Sequence, residues 1–446
     1  MPANEDILVT GDRARVSARA LAVLSLAGLV YVAAALERIS PPVVALDIMA
    51  SLGIGPDSMG VMFSATFFIY AFTQPIAGFG ADRFGPKRCL LTCVGLLAVA
   101  SIWFAKSESM LSATLARALV GFAAGFAFVP AVRLAANWLP ERYFGMASSC
   151  ILAASALSNF LAGSPLARTS TAFGWRWSFM GLGALMLGLF VLVWFVVTDG
   201  PRRKAAQAQQ SASAGPDTGQ SSGAYSQTAS RADSGTPGFW SATKLVLGSP
   251  IFWLIVLVYS GTDILYDTFT GLWAGPYLME VYELSSIDAG NMLSLAALGF
   301  LVGGPLMVAL GDRFGSYSNV ITGLAVFNVG ITSFIIWGPG VAKTWMLYVL
   351  CLVAPMAVHA TSLLFAIGKS FFPERVTGTV IGFMNLIPFL VGAIAQSAIG
   401  RVLAHFQSDP ANVRYGHAFK PVLAWAILTV IASLWLKTHA RKTAFK

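Results

Sequence analysis

Apolar runs of about twenty residues alternate with short polar turns along the chain, and a run of that length crosses the apolar core of a bilayer as one α-helix. The runs fall at roughly 20–48, 58–80, 87–105, 110–137, 143–169, 176–198, 250–281, 287–311, 317–338, 344–371, 375–404 and 416–437. They predict an all-α membrane protein with twelve transmembrane helices. One long polar interruption, from Pro201 to about Pro237, is rich in Ser, Ala, Gly and Gln, has no helical periodicity and is too polar to bury a core. The expected organisation is an N-terminal tail (1–19), a six-helix bundle (20–200), a flexible cytoplasmic linker (201–246), a second six-helix bundle (247–438) and a C-terminal tail (439–446). The stretch from Met1 to Ser17 mixes Glu5, Asp6 and Asp12 with Arg13 and Arg15 and lacks the features of a secretory signal, so the first run is expected to stay in the protein.

Composition narrows the class further. Of 446 residues, 56% are hydrophobic and 11% are charged, where soluble proteins carry about 25% charged residues. A soluble enzyme, a disordered scaffold and a disulfide-stapled secreted domain are all poor fits. The net charge of +9 comes from Lys and Arg scattered between apolar runs, without the stripe that would engage nucleic acid. These residues read as topology signals. With both termini inside, Arg83, Lys87, Arg88, Arg202, Arg203, Lys204, Arg441 and Lys442 fall on the cytoplasmic side, and Lys106, Arg168, Arg176 and Lys343 are among the few outside. The expected location is the cell (inner) membrane, multi-pass, and the expected partners are the lipid bilayer, a small-molecule substrate and protons, with the chain acting as a monomer. Cys89, Cys93, Cys150 and Cys351 lie in or beside apolar runs and show no metal spacing, so neither a metal nor a cofactor is expected.

The chain also repeats itself. Pro75, Asp82, Arg83, Phe84 and Gly85 recur, at one constant offset, as Pro305, Asp312, Arg313, Phe314 and Gly315, and Pro140-Glu141-Arg142 recurs as Pro373-Glu374-Arg375. Two halves on one plan put a pseudo-twofold axis between them and a substrate site at their interface near the bilayer midplane. The segment Gly78-x-x-x-Asp82-Arg83-x-Gly85-Pro86-Lys87-Arg88, between the second and third runs, resembles the signature loop of the major facilitator superfamily, and Asp312-Arg313-x-Gly315 is its weaker echo. The echo has Val308 where the first copy has Gly78 and lacks the trailing basic residues. The resemblance covers essentially the whole chain. It implies a transporter of two pseudo-symmetric six-helix bundles, with Gly78, Asp82, Arg83, Gly85, Lys87 and Arg88, and in the second copy Asp312 and Arg313, in a cytoplasmic gate.

A charge at the bilayer centre costs several kcal/mol unless it faces water or a partner, so each intramembrane ionisable residue is a functional candidate. Glu37-Arg38 sits deep in the first run, before a helix-bending Pro41-Pro42; adjacent side chains point about 100° apart, so no bond between them is implied. Arg117 opens Arg117-x-x-x-Gly121-x-x-x-Gly125, a small-residue row that permits close packing. The two arginines either form a structural ion pair inside the first bundle or bind a carboxylate or phosphate through a planar guanidinium. Together these residues resemble the branch of the superfamily that moves sugar acids and other carboxylates with protons. That resemblance implies a proton site at Glu37 and substrate-anion ligands at Arg38 and Arg117. Several members of the branch carry a second acid seven residues after the helix-four arginine; here that position is Ala124.

At the repeat offset Glu37 maps onto Asp267 and Arg38 onto Thr268. Asp263 lies one turn before Asp267, with Tyr259, Tyr266 and Thr270 nearby. A carboxyl group removed from water favours its neutral, proton-carrying form, which makes Asp263 and Asp267 candidates for proton coupling beside Glu37; His359 is the other titratable candidate. Asn159 and Asn385, with Tyr259, are candidates for neutral hydrogen bonds to substrate, as are Asn291 and Gln396. The expected activity is secondary transport of a small organic anion or zwitterion by alternating access, coupled to protons. A siderophore, metabolite or drug exporter of the same fold is the alternative, although residues 151–167 lack the Gly-Pro stretch that marks drug exporters. A non-transporting sensor is a further alternative, and no nucleophile–base pair or phosphate-cradling loop supports an enzyme.

Overall fold

The computed structural model describes residues 17–139, 143, 147, 150, 151, 153–200, 239–314, 316–373 and 377–443. Among them there is no strand. Ten helices are long and apolar enough to cross a membrane, and the pair Ala45–Leu52 and Pro56–Gln74, bent by 115°, makes an eleventh. The remaining span of the expected twelve lies where residues 140–142, 144–146, 148, 149 and 152 are outside the described set. Its described part comprises Ser155–Ala162 and Ser164–Phe173.

We number the spans α1 (Ala18–Ile39), α2 (Pro56–Arg83), α3 (Pro86–Ala105), α4 (Met110–Gly125 with Phe128–Trp138), α5 (Ser155–Ala162 with Ser164–Phe173) and α6 (Trp175–Val196) in the first bundle. The second bundle holds α7 (Pro250–Leu265 through Ala274–Val281), α8 (Ser286–Phe314), α9 (Tyr317–Trp337), α10 (Thr344–Val353 with Ala360–Phe371), α11 (Thr377–His405) and α12 (Ala411–Thr443). Three boundaries differ from the periodicity. α1 stops at Ile39 because Pro41-Pro42 cannot continue the hydrogen-bond ladder, and a 3-10 turn (Pro41–Val43) leads into the short helix Ala45–Leu52. The helix Phe239–Leu247 occupies the end of the segment read as linker, and α12 runs on to Thr443 through most of the expected tail. The rest of the linker, 201–238, lies outside the described residues, as do Pro140, Glu141, Arg142, Glu374, Arg375 and Gly315.

Caps fix the helix starts. Ser17 accepts from the Ala20 amide, Ser109 from Ser112 and Ser316 from Asn319. Gly85 turns the chain between α2 and α3 at φ 97°, a conformation that a side chain would oppose. Outward faces carry an apolar belt that includes Phe68, Phe72, Val99, Leu185, Ile394 and Ile431, with Trp177, Trp194, Trp253, Trp337 and Trp435 exposed near helix ends, the distribution expected of lipid-facing helices.

Packing between the bundles is strongly asymmetric. Each bundle has its own core on the side where the termini lie: Val23, Leu90, Val94, Val120 and Leu134 in the first, and Phe252, Ile255, Leu324 and Leu364 in the second. On the opposite, distal side, one core is shared by both: Val43, Ile48, Met59 and Phe104 pack with Phe269, Trp273, Tyr277 and Leu403. Backbone approaches backbone there. Ser64 Oγ donates to the Ala393 carbonyl at 2.6 Å, the Ser164 amide donates to Ser294 Oγ at 2.7 Å, and Ser286 Oγ donates to the Val43 carbonyl at 3.1 Å. A Cβ on Gly275 would run into the Pro42 carbonyl, and one on Gly60 would stand 2.8 Å from the Gln396 carbonyl oxygen. The distal end is sealed.

Candidate transport site

Between the bundles, below this seal, lies a cavity of about 690 Å3 lined by residues of both halves. Of the residues picked out by sequence, Arg38, Asn159, Tyr259, Asp263, Asp267, His359 and Asn385 line it; Glu37 and Arg117 do not. The 100° step along α1 separates the first pair. Arg38 turns into the cavity, whereas Glu37 is fully buried inside the first bundle, beside Ser101, and among the described residues neither of its carboxylate oxygens makes a hydrogen bond of ordinary geometry.

Arg117, also fully buried, donates from one guanidinium nitrogen to the Glu37 carbonyl at 2.8 Å and from the other to the Arg38 carbonyl at 3.1 Å. Its guanidinium stacks on Phe63, 4.6 Å from the ring centroid, and on Phe104 at 5.5 Å. The last carbonyls of a helix have no intrahelical donor, and Arg117 supplies one from the neighbouring helix. The small-residue row behind it does pack closely, since a Cβ on Gly121 would strike the Thr66 carbonyl and one on Gly125 would lie 2.7 Å from Thr73. Arg117 therefore ties α4 to the end of α1, which corrects its expected place beside Arg38 in the anion site; the other reading, a structural ion pair inside the first bundle, is not formed among the described residues either, because the guanidinium is spent on backbone oxygens.

Arg38 is held differently. Its guanidinium rests on Tyr70 at 4.5 Å, Phe67 at 5.5 Å and Phe389 at 5.7 Å, and among the described residues it makes no hydrogen bond or ion pair. Rings give a cation attraction without consuming its N–H donors. Asp263 and Asp267, almost fully buried on α7, are within its electrostatic reach, and each has one buried carboxylate oxygen without a hydrogen-bond partner among the described residues.

The backbone around the two acids is irregular. Residues Tyr266–Trp273 form a π-helical stretch, a feature that often marks functional sites. Gln396 of α11 donates to the Asp267 carbonyl at 2.7 Å, and the absence of a side chain at Gly392 leaves room for the Asp267 carboxylate. Tyr266 OH donates to Asn159 Oδ1 at 3.0 Å across the bundle interface, and Tyr259 OH donates to Asn385 Oδ1 at 3.4 Å. His359 closes a 3-10 break in α10 (Ala354–His359), its Nε2 is 2.6 Å from the Phe300 carbonyl oxygen, and its ring lies against Gly303 and Gly304. Of the other neutral candidates, Gln396 serves the backbone of α7, and Asn291 does not line the cavity. Sequence reasoning missed the aromatic wall formed by Tyr31, Phe67, Tyr70, Phe128, Phe300, Phe365 and Phe389. Phe67, Tyr70 and Gln74 recur at helical spacing on α2, a signal that a polar Gln inside an apolar run could have raised.

At the α2–α3 loop, Asp199 from the end of α6 accepts from the Lys87 amide at 2.8 Å, and Lys87 Nζ donates to the Trp194 carbonyl at 2.6 Å. Arg83 and Arg88 are exposed, as is Arg313 in the echo. Gly78 is not a tight contact, because its nearest neighbour would lie 4.0 Å from an added Cβ. The side chains of Asp82 and Asp312 lie outside the described set.

Two helical bundles of one plan, enclosing a largely aromatic cavity that holds a few charged groups and is sealed on one side, have the architecture of a secondary transporter. The sequence model of the Major Facilitator Superfamily matches residues 24–396, and the chain belongs to that family. It is 22% identical over 410 residues to a probable galactarate/D-glucarate transporter of Escherichia coli, covering 88% of this chain and 89% of that one. A probable sulfoacetate transporter of Cupriavidus necator is 30% identical over 179 residues, 40% of this chain and 42% of the relative. The fold is similar to that of a bacterial homologue of the human lysosomal transporter Spinster, with a TM-score of 0.68 at 16% identity over 95% of this chain and 98% of the other.

Proposed function

We propose that this protein moves a small organic anion with a carboxylate group across the cell membrane by alternating access, coupled to protons through Asp263 and Asp267. The observation that carries the reading is Arg38: a cation in the interbundle cavity, bedded on three rings, with no hydrogen bond to the described residues and two acids within its electrostatic reach. A carboxylate fits the planar fork through two charge-assisted hydrogen bonds. The relatives, named for transport of galactarate or D-glucarate and of sulfoacetate, support an acid as cargo.

The polar groups Asn159, Tyr259 and Asn385 orient the rest of the substrate, and Arg117 holds the end of α1 that carries Arg38. His359 and Glu37 are secondary candidates for the proton. The basic residues Arg83, Lys87 and Arg88, with Asp82, Gly78 and Gly85, and Asp312 and Arg313 in the second copy, belong to a gate at the side of the termini, which is the cytoplasmic side by the distribution of Lys and Arg. With the distal seal made, the cavity faces inward in this state. The protein acts as a monomer, without a cofactor. Uptake into reconstituted vesicles tests the reading: an imposed pH gradient, acid outside, should drive a carboxylate inward against its own gradient, and Arg38→Gln should abolish uptake. Gradient-driven uptake that persists in Arg38→Gln would refute it.

A further inference from the structure

One stretch of α11 lies between the acids of α7 and the α2 helix of the other bundle. On its α7 side, a Cβ at Gly392 would stand 2.5 Å from Asp267 Oδ2, Gln396 Nε2 donates to the Asp267 carbonyl at 2.7 Å, and Trp273 Nε1 donates to the Gln396 carbonyl at 3.3 Å. On its α2 side, the Ala393 carbonyl accepts from Ser64, the Gln396 carbonyl oxygen would stand 2.8 Å from a Cβ on Gly60, and a Cβ on Gly400 would run into the Pro56 carbonyl. Gln396 takes part on both sides. It is fully buried and does not line the cavity, so its polar groups serve the protein rather than the cargo.

The part of α7 that Gln396 holds is the π-helical stretch Tyr266–Trp273. Its start lines the cavity with Tyr266, Asp267, Thr270 and Gly271, and its end, Trp273, comes just before Gly275, whose Cβ would run into the Pro42 carbonyl at the seal. A π turn closes its bonds over one residue more than an α turn, so a return to α-helical register shifts one end of the stretch against the other. Asp267 Oδ2 has no hydrogen-bond partner among the described residues. A neutral carboxyl group tolerates the place beside Gly392; an ionised one, buried without a donor, is drawn to Arg38, within whose electrostatic reach it lies. That movement carries the Asp267 peptide and pulls on Gln396.

From this arrangement, and resting on the proton reading above, we infer that Gln396 is a positioning residue that links the charge on Asp267 to the distal seal. With the proton on, Asp267 lies against Gly392, and Gln396 keeps Trp273 and Gly60 in the sealed seam. With the proton off, the pull on Gln396 loosens the seam and the distal side opens. The element with two arrangements is the π-helical stretch, and both the acid and the seal bias it. The charged and titratable groups around Asp267 are Arg38 of α1, Asp263, Tyr259 and Tyr266 of α7 and, among the cavity-lining residues of α10, His359; residues 392–400 of α11 include none.

Spin labels at Phe173→Cys and Val341→Cys, exposed residues of opposite bundles, read the distal distance in acidic and alkaline buffer once Cys150 is replaced. In the labelled protein the ratio of sealed to open molecules should fall at least about tenfold from acid to alkali, a common size for coupling between sites. Asp267→Asn should stay sealed in both buffers. Gln396→Met, of similar length but without the amide, should cut the change to about twofold or less. Asn328→Leu is the control: Asn328 of α9 also donates to α7 carbonyls, those of Gly261 at 3.3 Å and Thr262 at 3.0 Å, but ahead of the π-helical stretch, and its loss should leave the response intact. Trp273→Phe, which deletes the indole donor, should weaken the response and carries the test if Gln396→Met does not fold. A full response in Gln396→Met or, failing that protein, in Trp273→Phe overturns the inference, as does an equal loss in Asn328→Leu. A response that persists in Asp267→Asn and vanishes in His359→Gln assigns the proton to the imidazole and overturns it too. Distances that ignore pH before any of these substitutions overturn it while the proton reading stands, provided vesicles still accumulate carboxylate when acid is outside; loss of both removes that reading as well.

Discussion

Replacing Gly163 by Val attacks the distal seal at a crowded contact between the bundles. A Cβ at Gly163 would run into the Ser294 hydroxyl and stand 2.7 Å from both the Gly290 carbonyl oxygen and the Ser294 amide nitrogen. Two of these three neighbours are backbone atoms of α8 and cannot rotate away. The same contact carries the 2.7 Å bond from the Ser164 amide to Ser294 Oγ, which the added methyls would displace. Overpacking and a lost hydrogen bond together cost about 2–4 kcal/mol, and this cost falls only on the state in which α5 and α8 touch. The ratio of distal-closed to distal-open molecules should drop about 30- to 700-fold, at 1.4 kcal/mol for each factor of ten. Spin labels at Phe173→Cys and Val341→Cys, both exposed at the distal ends of opposite bundles, report it once Cys150, the one exposed cysteine among the described residues, is replaced. The distance distribution should shift to longer values in Gly163→Val and stay put in Gly181→Val, where a Cβ meets nothing within 4 Å. Unchanged distances in Gly163→Val, or an equal shift in the control, would refute the assignment of this contact as a gate.

Arg117→Gln should lower unfolding stability in detergent by about 3–6 kcal/mol, since each of the two carbonyl bonds from a charged donor contributes about 1.5–3 kcal/mol, and thermal melts of the unliganded protein check it; an unchanged melt would mean that the two α1 carbonyls do not need this donor. Asp263→Asn/Asp267→Asn should lose accumulation driven by a pH gradient but keep exchange between two loaded sides, whereas Glu37→Gln, sealed away from the cavity, should keep both; vesicle uptake and counterflow separate the outcomes. Asp199→Ala removes the acceptor for the Lys87 amide in the first turn of α3 and should cost about 1 kcal/mol, read as a lower melting temperature that Asp199→Asn partly restores.

The helices, the two-bundle plan and most of the cavity's polar residues were legible in the sequence, because apolar run length and repeat offset are imposed by the bilayer and by the internal symmetry. Asp267 could be found through its repeat partner and Asp263 through the helical turn between them. Arg117 could not be placed. A run of Gly and Ala announces close packing, but whether an arginine in it faces a cavity or a neighbouring helix end depends on the rotation of α4, which no periodicity in so apolar a segment specifies. The breaks at Pro41-Pro42 and near Pro355 follow from the missing amide of proline. The π-helical turn at Tyr266–Trp273 carries no such mark, since it answers to the packing of Asp267 against Gly392 on another helix.

The central claim is that Arg38 anchors the substrate carboxylate and that its burial serves binding rather than folding. Equilibrium binding of galactarate to wild type and Arg38→Gln, paired with melts of the unliganded proteins, tests it most directly. Two charge-assisted hydrogen bonds of about 1.5 kcal/mol each predict an affinity loss of about a hundredfold, with the unliganded melting temperature lowered less than in Arg117→Gln, because the guanidinium rests on rings and makes no hydrogen bond to the described residues. Wild-type affinity in Arg38→Gln, at wild-type stability, would contradict the account.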